Sequence, residues 1–593
     1  MTTAGPAKRR ATWWIAGALA LMVALAAIAR EVGLDFQLPT AGLADERVYI
    51  EHVAAFESGV ENPSALPGAA TYPYLVSKLA LATWRKPRCT SADVDEHLDA
   101  AASLAVHIRR VVALLSLLSI PAMWLLVRAF SPPATALLAA ALCGSSVFAQ
   151  AFAQQARPHG ASFGLCLLAL ALAVHLQRRP TFARALLTGT AAGLAFAALQ
   201  SGIAMLVPVA VAILLARGIG MRRRAELFGT ALLPTAALFA WAYHYLFVEH
   251  IDRGAQPGHA LLGEGAFRLD MLTGAGFPTF VRALWTYEPI AVVVALVAAA
   301  AGTALAWRSI WSRGHGTTEG AERRVRLLSR LDPRTWSDTT RSAAVVGSYL
   351  VPYVVVFGLY DRTYPRYALP LVPFLAWAGA WILVPRAARL GQWQAWIPAT
   401  LVVGAQAGLV AKLAWVRAQP DTLELAADWI EHEAPPGARV GLLPGDDLPL
   451  LRPPEQRLEL RRREYSNPHR HWLAYQARLE PGPWDVHARE LVVPERADPE
   501  RLVNAFVEGG ADYCVVRTFQ HMRVDGLQAL RRALERSGSR VASFCPVDEP
   551  EPAAFVTRDE FQAPDQHGPW VWRLARAERT GNVVEIWKLD RRR

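Results

Sequence analysis

Charge is scarce in this chain: of 593 residues only 19% are Asp, Glu, Lys or Arg, while 53% are hydrophobic. Soluble proteins rarely have that balance, which points to the membrane. Cysteine is scarcer still, at five, and no CxxC or HExxH spacing occurs, so the pattern offers no metal cage. There is no Gly-rich phosphate loop and no internal repeat, so nothing marks a nucleotide-binding domain. Lys8-Arg9-Arg10 ahead of the apolar run to Ala29 could open a signal peptide. The run is long enough to span, however, and Ile28-Ala-Arg30-Glu31 is a poor cleavage site, so it reads as an uncleaved first helix. Basic residues exceed acidic ones by 62 to 51, a net charge of +11. They fall in short clusters between apolar runs, as orientation signals do, and not as a nucleic-acid footprint.

What is present in abundance is apolar sequence. Candidate spans cover residues 11–29, 108–127, 133–151, 160–177, 184–200, 201–216, 227–248, 287–307, 342–360, 367–384 and 393–416, about eleven transmembrane helices. The expected fold is mainly α: a polytopic membrane helix bundle over residues 1–417, with a C-terminal extracytoplasmic α/β domain over 418–593. With the N-terminus cytoplasmic, Arg178, Arg179, Arg217, Arg222 to Arg224, the run from Arg308 to Arg341, Arg386 and Arg389 all fall inside. The weakest cut is at Leu199-Gln200-Ser201-Gly202, barely a turn. Outside lie residues 30–107, residues 249–286, the turn at 361–366 and the tail. In the tail, helix-like runs at 423–433, 501–508 and 527–537 alternate with strand-like runs at 438–443, 511–517 and 540–544, and a strand at 583–589 closes it. Cys143 and Cys166 read as packing residues within spans. A disulfide between Cys514 and Cys545 is one option, since they lie in or just after successive predicted strands.

The outer segments hold the residues that could do chemistry. Asp45 and Glu46 begin Asp45-Glu-Arg-Val-Tyr49 shortly after the first span. If that segment is helical, Asp45 shares a face with Tyr49, and the two acids point about 100° apart and must have different tasks. An acidic pair at a helix start also complements the helix dipole; its place after the first span favours catalysis. Arginines oppose the inside-positive trend at Arg109, Arg110, Arg157, Arg362 and Arg366. A guanidinium at the rim can grip a lipid phosphate bidentately, although a single one can equally snorkel or pair with Asp361 or Asp252. His52, His97, His107, His159, His244, His250 and His259 are also in or near this layer, and a metal partner for the acids among them stays open.

These segments together resemble a known family: the GT-C glycosyltransferases that use lipid-linked sugars, particularly bacterial relatives of protein O-mannosyltransferases and of the aminoarabinose transferase of lipid A. The carriers are Asp45-Glu46 with Tyr49, Tyr72-Pro73-Tyr74-Leu75, Arg109-Arg110 leading into Val111-Val-Ala-Leu-Leu115, Ala153-Gln-Gln-Ala-Arg-Pro158, and Arg366-Tyr-Ala-Leu-Pro370. The resemblance spans most of residues 11–416. It implies a catalytic carboxylate, carried to Asp45 first and Glu46 second, and a donor-phosphate contact at Arg366 or Arg157. Two departures stand out: Gln200-Ser201 where the family often has a lysine, and Tyr72-Pro73-Tyr74 in place of a Pro-Pro pair.

The function so implied is a multi-pass glycosyltransferase of the inner (plasma) membrane. It moves a sugar from a polyprenyl-phosphate donor to a lipid, glycan or protein acceptor outside the cytoplasm, with inversion. Asp45 and Glu46 are its catalytic candidates; Tyr49, Tyr72, Arg109, Arg110, Arg157, His159, Arg362 and Arg366 are its substrate-binding candidates. A polyprenyl phosphate is a competent leaving group, so the site needs a base and cations for the developing charge. No cofactor is required, and a divalent ion on the phosphate stays open. The alternatives are a transporter or flippase of lipid-linked saccharides and a polymerase or ligase of surface glycans. A transporter should place charges near the midplane and show inverted repeats.

Overall fold

The computed structural model describes residues 6–36, 38, 46–57, 59–63, 72–85, 94–248, 269–313, 335–384, 393–443, 485–488, 498–517, 524–547, 570–581 and 583–590. Its helices are α1 (Pro6–Glu31), α2 (Glu46–Glu57), α3 (Leu75–Thr83), α4 (Val94–Leu117), α5 (Ser119–Arg128), α6 (Pro133–Gly144), α7 (Val147–Ala153), α8 (Pro158–Arg178), α9 (Phe182–Ala198), α10 (Leu206–Leu214) and α11 (Met221–Ala242). They continue with α12 (Tyr245–Val248), α13 (Gly276–Tyr287), α14 (Pro289–Arg313), α15 (Asp338–Leu359), α16 (Val372–Leu383), α17 (Ile397–Arg417), α18 (Thr422–Glu433), α19 (Pro499–Glu508), α20 (Val524–Ser537) and α21 (Trp570–Arg576). The strands are β1 (Arg439–Leu443), β2 (Asp485–Ala488), β3 (Tyr513–Arg517), β4 (Gly538–Phe544) and β5 (Val584–Leu589).

The protein is a multi-pass membrane protein. Among the described residues seven helices are long and apolar enough to cross a bilayer, and two bent pairs bring the number to as many as nine. Two shorter apolar helices, Phe182–Ala198 and Gln200–Leu214, match the remaining expected spans. Each of the eleven expected segments therefore falls on a helix or a bent pair. The weak cut is a real break: Leu199 is extended at φ −152°, ψ 140°. Gly202 then brings the chain back so closely that a Cβ there would lie 2.2 Å from the Ala195 carbonyl oxygen.

The bends have local causes. α6 and α7 meet at 53°, across Ser145 and Ser146, and the Ser146 hydroxyl caps α7 by accepting from the Ala149 N–H at 3.0 Å. α13 and α14 meet at 115°. Proline disfavours helical geometry in the residue before it, and Glu288, before Pro289, sits at φ −131°, ψ 43°.

Two compact units can be distinguished, one of Met1–Glu31, Thr71–Leu79 and Arg110–Ala411, the other of Val32–Ala70, Ala80–Arg109 and Lys412–Arg593. Within the first, α9 lies directly on α11. A Cβ at Gly189 would come within 2.0 Å of the Ala231 carbonyl oxygen, and the Thr235 hydroxyl donates to the Gly189 carbonyl at 2.9 Å. Close approach of small residues replaces the hydrophobic effect, which cannot drive helices together in lipid.

The second unit holds the sheet, in the order β2-β1-β3-β5-β4. β1 runs parallel to β2 and β3, while β5 is antiparallel to β3 and β4. Alternation along the strands divides the core between two faces. Val440, Leu442, Val515 and Ile586 pack with Leu423, Ala426 and Ile430 of α18. Leu443, Cys514, Val516 and Trp587 pack with Val503 and Phe506 of α19 and Leu530 and Leu534 of α20. Of the tail elements expected from sequence, each has its counterpart; the short β2 and α21 were not foreseen.

Strand order corrects the disulfide expectation. Cys514 and Cys545 are free thiols, because β5 separates β3 from β4. Two strand spacings amount to about 10 Å, beyond the span of a disulfide.

Candidate functional site

In the second unit the candidates gather at the start of α2. Arg109 and Glu46 are wholly buried, at 0% exposure each, and form a two-pronged ion pair. Nε donates to Oε1 at 3.0 Å and Nη2 to Oε2 at 2.7 Å. Nη1 donates to the carbonyls of Leu34 and Phe36 at 2.7 and 2.9 Å, and the guanidinium lies 4.2 Å from the centre of the Phe36 ring. Arg417 stacks on the same ring at 4.2 Å. Both oxygens of Glu46 are thus held by one guanidinium, which suits anchoring α2. Tyr49 is buried one turn on, its ring edge-on to His52 at 6.0 Å. Asp45, directly ahead of α2, lies outside the described residues, and with it the shared face expected with Tyr49.

Arg110, Tyr72, Arg157, His159, Arg362 and Arg366 belong to the first unit. Arg110 forks an exposed ion pair onto Glu31, through Nε and Nη2. Tyr72 is half-buried at the entry to α3, and Arg362 is exposed in the turn after α15.

The structure brings Arg157, His159 and Arg366 together. Arg157 is extended (φ −122°, ψ 147°) immediately before Pro158 begins α8, as proline dictates for its predecessor. That geometry places Arg157 and His159 at the positive end of a 21-residue helix. Arg157 is 1% and His159 7% exposed, and the charges that face His159 are those of Arg366 and Arg157. Arg366, on the 3-10 turn Pro365–Leu371, lies 4.4 Å from the Tyr364 ring centre and 5.7 Å from that of Tyr367. Phe152 and Tyr367 enclose His159 at 5.9 and 6.5 Å between ring centres. Nε and Nη1 of Arg366 and Nδ1 of His159 are buried without a hydrogen-bond partner. Convergent cations with unused donors at a helix N-terminus are suited to an anion with several acceptor oxygens, above all a phosphate.

Among the described residues the other histidines give no metal set. His107 Nε2 lies 2.9 Å from the Thr83 hydroxyl and 3.2 Å from the Ala80 carbonyl; the side chain of His97, and all of His250 and His259, lie outside the described residues. Among the described residues no three His, Cys, Asp or Glu side chains converge as metal ligands would.

Three polar residues escaped the sequence reading. Arg30 is 1% exposed in the last turn of α1, and none of its guanidinium nitrogens has a hydrogen-bond partner. Lys78 donates to the Trp241 carbonyl at 2.8 Å, 4.9 Å from that ring's centre. Glu288 is 2% exposed at the α13/α14 break. The available signal was an ionisable residue within or bordering an apolar run.

No family model and no curated protein matches the chain. Among solved structures it is similar to the archaeal oligosaccharyltransferase AglB from Archaeoglobus fulgidus, in complex with an inhibitory peptide and a dolichol-phosphate. That match has 12% identity and a TM-score of 0.41, covering 89% of this chain and 73% of that one. It is similar to ArnT from Cupriavidus metallidurans in the apo state at 17% identity and TM-score 0.43, over 90% of this chain and 96% of that one. It is also similar to the arabinofuranosyltransferase AftD from Mycobacteria, at 16% identity and TM-score 0.37, covering 97% of this chain and 40% of that one.

Proposed function

We propose that the protein is an integral membrane glycosyltransferase that takes a sugar from a polyprenyl-phosphate donor and passes it, with inversion, to an acceptor outside the cytoplasm. The observation that carries this reading is the Arg157–His159–Arg366 cluster at the start of a membrane helix, with buried nitrogens on Arg366 and His159 that no protein group uses. A lipid-held phosphate supplies the missing acceptors, and its polyprenyl chain belongs beside an apolar bundle.

In the reaction, the acceptor hydroxyl oxygen forms a bond to the anomeric carbon while the bond from that carbon to the phosphate oxygen breaks. The acceptor's proton passes to a carboxylate, assigned to Asp45. The electron pair leaves with the phosphate, where Arg157 and Arg366 offset the developing charge. Glu46 is assigned the support of that base: its ion pair with Arg109 fixes the first turn of α2, to which Asp45 is directly attached. Tyr49, Tyr72, Arg110 and Arg362 are proposed contacts for the sugar or acceptor. The residue pattern of the GT-C glycosyltransferases is the second support.

The test is transfer of radiolabelled sugar from polyprenyl-phosphate donors by the purified protein, compared with Asp45→Asn and Glu46→Gln. Loss of product in Asp45→Asn supports the assignment. Equal product in all three sinks the carboxylate role, and uptake of labelled lipid into vesicles without product makes the protein a transporter.

A further inference from the structure

One buried acid ties the two broken spans of the first unit together. Glu288 stands at the α13/α14 break, and its carboxylate reaches the α6/α7 break. Oε1 accepts from the Ser146 hydroxyl at 2.6 Å and from the Phe148 N–H at 2.9 Å. Oε2 accepts from Gln406 Nε2 at 3.3 Å, and Gln406 Oε1 in turn accepts from the Ser145 hydroxyl at 3.2 Å. Beside Glu288, Tyr287 stacks on Phe148 with centres 4.9 Å apart and planes 12° apart. Glu288 and Gln406 also line a small void, together with apolar residues that include Leu142, Val294, Val372 and Ala376. An ionisable group inside a membrane bundle is costly and marks function by default, and the two N-terminal groups of α7 are its principal donors.

α7 has only seven residues. At a rise of about 1.5 Å per residue its two ends are about 10 Å apart, so holding one end determines where the other points. The far end leads through Gln154 to Ala156 into Arg157 and His159. A chain of rings runs the same way, from Phe148 to Phe152 at 5.5 Å and from Phe152 to His159 at 5.9 Å.

We propose that Glu288 is a positioning residue: by pinning the first turn of α7 it aims Arg157 and His159, with Arg366, at the phosphate of a polyprenyl lipid. The inference rests on the donor-site reading above. It adds a second requirement, that the cluster's affinity is set from the opposite end of α7 by a group that never touches the ligand.

The experiment measures undecaprenyl phosphate binding to the full-length protein in detergent, recording both affinity and the number of sites per molecule. The variants are Arg157→Ala, Glu288→Ala, Glu288→Gln, Ser146→Ala and the double Glu288→Ala/Arg157→Ala. Glu288→Ala is expected to keep one site per molecule while Kd rises about tenfold, and the double variant should bind no more weakly than Arg157→Ala alone, as coupled groups do. Glu288→Gln, whose amide oxygen still accepts from Ser146 and Phe148, should stay within about twofold of wild type. A Kd unchanged in Glu288→Ala, a loss of sites at constant Kd, or a double variant weakened by both factors in full overturns the proposal. If Glu288→Ala does not fold, Ser146→Ala decides, with a rise of about threefold expected and no change overturning it. A wild type that fails to bind, or an Arg157→Ala that binds as wild type does, brings down the donor-site reading and this proposal with it. Weak binding by Arg157→Ala alongside full affinity in Glu288→Ala removes only the positioning role.

Discussion

Two arginine side chains, one in each unit, are used in opposite ways. In the second, Arg109 gives Nε, Nη1 and Nη2 to Glu46, Leu34 and Phe36 and lies against the Phe36 ring. In the first, Arg366 rests on the rings of Tyr364 and Tyr367, with His159 near by and with Nε and Nη1 unused. A closed pair contributes its electrostatic energy to the fold and leaves nothing for a ligand. An open cluster raises the energy of the unliganded protein and recovers that energy when an anion arrives. Burial alone therefore does not reveal function; the accounting of donors and acceptors around each buried charge does.

Asp45 gives the largest expected separation between the regions. Asp45→Asn should slow sugar transfer by about 10²- to 10⁴-fold, the usual contribution of a general base, without weakening donor binding. Single-turnover rates set beside binding affinities check this, and a parallel loss of both would move Asp45 from chemistry to binding.

Next come the two arginines themselves. Arg366→Ala should weaken undecaprenyl phosphate binding by about 10- to 100-fold, the loss of a charge-assisted contact, and leave the melting temperature unchanged or slightly raised. Arg109→Ala should do the reverse, destabilising the fold by about 3–5 kcal/mol because Glu46 is left buried and unpaired. Exchanging both partners, as Glu46→Leu with Arg109→Met, should recover most of that loss. Thermal unfolding of the four proteins sharpens the contrast, and it fails if Arg366→Ala melts as early as Arg109→Ala.

The smallest effect concerns the sheet. Burial pushes the Cys514 thiol up to about 12 and raises that of Cys545 less. Only the thiolate reacts, so the fraction available to alkylation grows as pH rises toward each value. In the native protein at pH 8, iodoacetamide should leave Cys514 unmodified and modify Cys545 slowly, and after denaturation without reductant both should label. Peptide mapping checks this, and a disulfide between them would contradict the strand order.

Much of the fold was legible along the chain, because hydropathy over about 19 residues is a local property. So were the tail's elements, whose helix and strand periods differ; β2, four residues long, was too short to register. The candidate site was legible only in part. Arg157, His159 and Arg366 were each visible as basic residues at span ends, but that they meet depends on how α8 packs near the turn after α15. Glu288 was hidden at the edge of an expected span at 287–307, where an acid reads as a boundary. Arg30 was hidden in the same way, as part of a poor cleavage site.

By itself the sequence determined that this chain enters a membrane, roughly where its apolar spans lie, and that a run of alternating helices and strands follows, since each depends on neighbours a few residues away. The tertiary structure decided which side chains meet. Glu46 finds Arg109 across 63 residues and Glu288 finds Ser146 across 142, while β5 parts Cys514 from Cys545. Such pairings follow from packing between distant segments, and the identity of a residue carries no record of the partner that packing will bring to it.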